Sequence, residues 1–126
     1  MSDEQTQTKK RYYHGGNGGL LVGTYILPPA ETGAKSMADF NPLLSKDRVY
    51  ITTDIAAAMF FASAADNPVV YEVTPEGNIE DDPDHKTKGI SFACPKAKII
   101  AFHKVPDEVI QQNRLQMIAA PPVAKT

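Results

Sequence analysis

The sequence predicts an α+β fold in which small, mostly antiparallel or mixed sheets pack against one main core helix. Three observations carry this. Short β-branched and aromatic runs recur at 11–14, 20–27, 48–52, 69–73 and 98–103. One strong helical period stands among them, so strands do not alternate with helices as βαβ units require. Turn-forming clusters of Gly, Pro, Asn and Asp separate the runs. A length of 126 residues fits one domain, since domains most often run to about 100–150 residues. The expected organisation is a disordered polar leader over 1–10, a domain over 11–118 and a flexible tail over 119–126.

The elements follow in order. A strand over 11–14 should end at His14, where the glycines from Gly15 to Gly19 open a loop. An apolar run over 20–27 is interrupted at Gly23 and stopped by Pro28 and Pro29. Residues 30–44 read as a long surface loop with one helical turn around 36–40. The strand 48–52 leads to a helix with Thr53 as N-cap and Asp54 in its first turn. Ile55, Met59 and Ala62 recur at i, i+4 and i+7 beside Phe60 and Phe61, and Asp66-Asn67-Pro68 ends that run. A strand over 69–73 closes in a turn over 74–78. A weaker segment over 89–94 precedes the strand 98–103, and a short helix over 105–112 opens at Pro106 with Asp107 and Glu108 in its first turn.

Composition narrows the function classes. Hydrophobic content of 42%, charged content of 22% and a net charge of −2 are those of an ordinary soluble domain. They provide no basic field for stable duplex nucleic-acid binding. The single cysteine, Cys94, forms no internal disulfide, which points to a reducing, cytoplasmic setting. No apolar run approaches the ~18 residues of a membrane span, so no membrane association is expected.

Familiar site motifs fail on spacing. Gly18 and Gly23 have the separation of a phosphate loop, but Thr24 and Tyr25 stand where Lys and Ser/Thr are required. A dinucleotide fingerprint from Gly16 and Gly18 needs glycine where Leu21 stands. Asp81, Asp82, Asp84 and His85 lack the spacing of a calcium loop and read as a solvated turn, so no metal site is expected. His103 reads as a strand residue and Cys94 as a buried thiol.

Three segments remain, each at a strand end: Tyr13-His14-Gly15, Val49-Tyr50-Ile51-Thr52, and Val73-Thr74-Pro75-Glu76-Gly77-Asn78-Ile79-Glu80-Asp81-Asp82-Pro83. Together and in this order they resemble the rifamycin ADP-ribosyltransferase (Arr-type) family. The resemblance covers about 12–102 and is weakest over 25–46. It implies a compact ADP-ribosyltransferase-like fold, NAD⁺ as co-substrate, and a catalytic triad of His14, Tyr50 and Asp82. In that reading His14 bonds ribose hydroxyls, the Gly15 backbone holds the nicotinamide carboxamide, and Tyr50 stacks on the nicotinamide ring. Asp82 stabilises positive charge on the ribose, Thr52 adds a polar contact, and Asp81 is the rival acid. Taken singly, His14 could equally end a strand edge, Tyr50 fill a strand, and Asp82-Pro83 form a turn.

The implied reaction is mono-ADP-ribosyl transfer, with cleavage of NAD⁺ at the nicotinamide–ribose bond. Gly16 stands where the family commonly has Thr, and the segment 30–46 departs from the family pattern. A macromolecular acceptor, protein or nucleic acid, is therefore placed slightly ahead of a rifamycin-like small molecule. The sequence has no Glu-x-Glu or Gln-x-Glu pair of the arginine-modifying kind. Two other readings are an NAD⁺ glycohydrolase and a non-catalytic NAD-binding module of the same fold.

Overall fold

The computed structural model describes residues 10–33, 47–82 and 89–119. Their elements are β1 (Tyr12–Asn17), β2 (Tyr25–Ile26), α1 (Pro29–Thr32), β3 (Val49–Thr52), α2 (Ile55–Ala62), β4 (Pro68–Glu76), β5 (Glu80–Asp81), β6 (Ser91–Cys94), β7 (Lys96–Lys104) and α3 (Asp107–Ala119). The strands form one 7-stranded sheet in the order β2-β7-β4-β1-β3-β6-β5. Each of its pairings is antiparallel. The α+β expectation holds, with one continuous sheet in place of several small ones.

Side chains alternate between the two faces of this sheet. On one face Val49, Ile51, Val69, Tyr71, Val73, Cys94 and Ile99 form a core, with Tyr12 and Phe92 packed against it. On the other, Val70 and Val105 meet Ala58 and Ala62 of α2, with Tyr13, Val109 and Ile110 alongside. The central strand β4 is covered on both faces, which explains its unbroken Val69-Val70-Tyr71 run.

Several boundaries differ from the sequence reading. β1 does not end at His14 but continues through Gly15 and Gly16 to Asn17, paired with β4 from Tyr12↔Val73 to Asn17↔Pro68. The apolar run 20–27 yields only the two strand residues Tyr25 and Ile26. Gly23 turns there at φ 95; its N–H donates to the Ile99 carbonyl and the Ile99 N–H to the Thr24 carbonyl, both at 2.8 Å. β4 runs on to Glu76, so that the turn expected over 74–78 is confined to its end, at Gly77 with φ 86. Pro75 is tolerated because β1 stops at Tyr12↔Val73 and requires no ladder donor from it. A four-residue helix at Pro29–Thr32 precedes the expected helical turn at 36–40, which lies outside the described residues. Asp84, His85, the leader 1–9 and the tail from 120 also lie outside them. The last helix extends past the expected end at 112 to Ala119.

In α2 the cap and the inward face both shift. Asp54, not Thr53, is the N-cap, its carboxylate accepting from the N–H groups of Ala56 at 3.0 Å and Ala57 at 3.4 Å. The buried positions are Ala58 and Ala62, whereas Ile55 is 36% and Phe61 54% exposed. The cause is close approach to β1. A Cβ on Gly15 would overlap the Ala58 carbonyl oxygen and stand 2.8 Å from the Ala62 nitrogen. Asp54→Ala should cost about 1 kcal/mol in urea unfolding, the usual loss of an N-cap acceptor; unchanged stability would remove the cap from Asp54.

Among the described residues, no helix is long and apolar enough to cross a membrane. No group of His, Cys, Asp and Glu among them is placed to hold a metal ion.

Candidate active site

β1 follows β4 along its whole length but pairs with β3 at one point, Tyr13↔Thr52. The Gly18 N–H donates to the Asn67 carbonyl at 2.9 Å. Antiparallel alternation from that pair turns the backbone groups of Gly16 and His14 toward β4, and those of Tyr13 and Gly15 toward β3. On β3 the Thr53 N–H donates to the Ile90 carbonyl at 2.9 Å, so the backbone groups of Val49 and Ile51 face β6 and those of Tyr50 and Thr52 face β1. A regular ladder from Tyr13↔Thr52 would next pair Gly15 with Tyr50. The strands part there instead, and Nδ1 of His14 donates to the Tyr50 carbonyl at 2.8 Å. The imidazole takes the acceptor that the Gly15 N–H would otherwise use, leaving the Gly15 amide and carbonyl facing the opening.

This bond fixes the tautomer of His14. A carbonyl only accepts, so Nδ1 carries the proton and the neutral ring presents a lone pair at Nε2. Burial lowers the His14 pKa below its ordinary value, outweighing the bond to Tyr50, which acts in the opposite direction. Nε2 lies beside Gly16, where a Cβ would stand 3.5 Å away. A side chain at residue 16 would therefore touch that nitrogen.

Val49 and Ile51 sit in the core beneath Tyr12, so the pleat places half-buried Tyr50 and buried Thr52 on the opposite face, with α2. The Thr52 hydroxyl oxygen accepts from the Asp54 N–H at 3.0 Å, tying it to the start of α2. The Asp82 N–H donates to the Ser91 carbonyl at 3.0 Å, one residue beyond Asp81↔Phe92. Ser91 lies opposite Thr52. Asp82 therefore belongs to the row Tyr13, Thr52, Ser91 and shares the face of Tyr50, two strands or roughly 10 Å from Thr52. Asp81, opposite Phe92, projects from the other face. The fold thus ties the His14 imidazole to the Tyr50 backbone, but His14, opposite Tyr71, leaves β1 on the face of Tyr12, whereas the side chains of Tyr50, Thr52 and Asp82 lie on the α2 face, Asp82 across β6 from the other two.

Two supporting residues escaped the sequence reading. Arg48 bonds Glu80 at 3.1 Å and reaches the Asn78 carbonyl at 3.5 Å, spanning β6 above Ala93. The spacing carried a signal, since Arg48 and Glu80 each precede a candidate residue, Tyr50 and Asp82, by two. The buried Tyr71 hydroxyl donates to the Asn17 carbonyl at 2.6 Å and accepts from the Leu20 N–H at 3.3 Å, fastening the glycine-rich segment. Nothing in Val70-Tyr71-Glu72 distinguished it from core filling. A cavity of about 310 Å³ opens beside it, lined by Leu20, Leu21, Val69, Tyr71 and Phe102. Cys94 is buried, with its thiol pushed up to about 11 by burial, and is no nucleophile. His103 lies at the surface, 4.0 Å from Glu72.

The sheet is antiparallel and parts beside a His-Gly pair, with Tyr50 on the parting strand and Asp82 two strands away. The family model for Arr-ms, rifampin ADP-ribosyl transferase, matches residues 12–99. The chain belongs to this family, a family of NAD⁺-dependent transferases. A search of curated proteins finds no match to the chain.

Proposed function

We propose that the protein breaks the nicotinamide–ribose bond of NAD⁺ in the cytoplasm and passes the ADP-ribosyl group to an acceptor nucleophile. The observation that carries this is the parting of β1 from β3 at Gly15 and Tyr50. NAD⁺ supplies nicotinamide as leaving group and a ribose on which positive charge develops as the bond breaks.

The chain's task is to position and to stabilise. Gly15 offers its N–H and carbonyl to the carboxamide. Tyr50 offers a ring face to the pyridinium. His14, held neutral by burial, accepts a ribose hydroxyl at Nε2. Asp82 places a carboxylate against the developing charge and orients the acceptor, and Thr52 secures the β3–α2 corner behind Tyr50. The acceptor placed first is an apolar small molecule of the rifamycin kind, ahead of a macromolecule. This reverses the order from sequence, and its support is the family's description as a rifampin ADP-ribosyl transferase.

Incubation with NAD⁺ labelled in its adenylate, first alone, then with rifampin, then with lysate, tests the proposal. Label on rifampin supports the first acceptor, and label on protein or nucleic acid the second. Free ADP-ribose alone replaces transfer with glycohydrolysis, and binding without nicotinamide release sinks catalysis altogether.

A pH dependence follows from His14. Its folded pKa lies below the unfolded value of about 6.5. The unfolded chain therefore takes up this proton first, and the stability attached to neutral His14 is present above that value and lost as pH falls below it. NAD⁺ affinity should decline in the same direction, because protonation removes the Nε2 acceptor. Thermal midpoints of wild type and His14→Asn should converge as pH falls; a constant gap between pH 5 and 8 would refute the linkage.

A further inference from the structure

α2 is clamped at both ends. At its start stand the Asp54 cap and the Thr52 hydroxyl. At its end, Arg114 of α3 donates from Nε to the Ser63 carbonyl and from Nη2 to the Ala65 carbonyl, each at 2.8 Å. Asn113 donates to the Ser63 hydroxyl at 3.1 Å, which donates to the Met59 carbonyl at 2.8 Å. A helix leaves its last carbonyls without internal partners, and a cation there also meets the negative end of the helix dipole.

Between the clamps, α2 rests on β1 with no slack. Ala58 and Ala62 lie so near Gly15 that a single methyl group there would collide with helix backbone. Backbone on backbone cannot be relieved by a rotamer change, so a shift of α2 is passed to Gly15 undiminished. Gly15 is also the residue whose amide and carbonyl face the opening between β1 and β3.

We propose that Arg114 is a positioning residue of the active site, fixing the C-terminal end of α2 and thereby the seat of Gly15 and the width of the β1–β3 opening. Arg114 lies beyond residues 12–99, the segment matched to the family. The functional half of the inference rests on the proposed binding of the nicotinamide riboside at Gly15; the geometric half rests on the α2 contacts alone.

The test uses the full chain as wild type, Arg114→Ala and Arg114→Lys, with three readouts: the Gly15 amide resonance, the thermal midpoint, and steady-state KM and kcat for NAD⁺. In folded Arg114→Ala the Gly15 resonance should move while that of Ala97, in the core of the opposite face, stays in place. KM should rise about fivefold with kcat within about twofold, the pattern of lost ground-state positioning. Arg114→Lys, which keeps the charge but not the two-pronged geometry, should recover part of both effects. A merely structural strut would lower the midpoint and leave Gly15 and KM untouched, and that result overturns the proposal. A shifted Gly15 with unchanged KM overturns its functional half. Should Arg114→Ala fail to fold, Arg114→Lys carries the same readouts with smaller shifts. If wild type neither binds nor cleaves NAD⁺, the proposed function falls, and the Gly15 resonance still decides whether Arg114 sets its position.

Discussion

Asp82→Ala is expected to abolish nicotinamide release while the protein remains folded. The ladder bond from Asp82 to Ser91 is made by its backbone N–H, which alanine keeps. What disappears is a carboxylate on the face of Tyr50, where positive charge would develop during bond breaking. Loss of a single preorganised electrostatic contact typically costs about 10²–10³ in kcat, and a full counter-charge should reach at least the upper end of that range. Asp81→Ala is the matched control, one residue away and on the opposite face. It should retain most of the wild-type rate. Wild-type turnover in Asp82→Ala would remove the acid assignment, and collapse of Asp81→Ala alone would transfer the role to its neighbour.

Gly15→Ala should be the most damaging small substitution in the sheet. The new methyl group would overlap the Ala58 carbonyl and crowd the Ala62 nitrogen, so α2 must move or β1 must bend. Overpacking of this kind costs about 1–3 kcal/mol, and contact with backbone puts Gly15 at the upper end. That is a large share of the roughly 5–15 kcal/mol that holds a domain folded. Gly16→Ala separates stability from binding. Its methyl group would sit in ordinary contact, 3.5 Å from His14 Nε2, so unfolding should change little while NAD⁺ affinity falls. Urea titration of both variants with NAD⁺ isotherms for Gly16→Ala checks the pair. Wild-type stability in Gly15→Ala would mean that α2 does not sit as close as described.

The contrast between these glycines shows where the sequence stopped being readable. Two adjacent glycines after an aromatic pair signalled a loop, because glycine's freedom usually serves turns. In the fold they are strand residues whose missing side chains admit a helix at Gly15 and leave space beside an imidazole at Gly16. Neither demand is local, so no window of sequence expresses it. The same contact explains α2: its existence was legible from Ile55, Met59 and Ala62, but its inward face is set by the alanines that fit against Gly15. The face of Tyr50 was legible, since Val49 and Ile51 flank it in alternation, but that pattern fits strand filling as well and its role came from the resemblance alone. Which of Asp81 and Asp82 shares the face of Tyr50 was not legible, because it depends on the β5–β6 register. Arg114 lay outside the helix expected over 105–112. The chemistry itself was read from the resemblance in three short segments, and spacing alone would not have supplied it.

The imidazole of His14 occupies a rung of the sheet that belongs to a backbone amide. The displaced amide and its carbonyl keep the geometry of strand pairing but have lost the strand they would pair with. In the proposed complex the primary carboxamide of nicotinamide, whose carbonyl and one of whose two N–H donors lie side by side, takes that rung. Recognition then follows the rules of a β-ladder, with donor and acceptor required together. A nicotinic acid dinucleotide, whose carboxylate would set one acceptor oxygen against the Gly15 carbonyl, should bind more weakly by the grammar of the sheet itself.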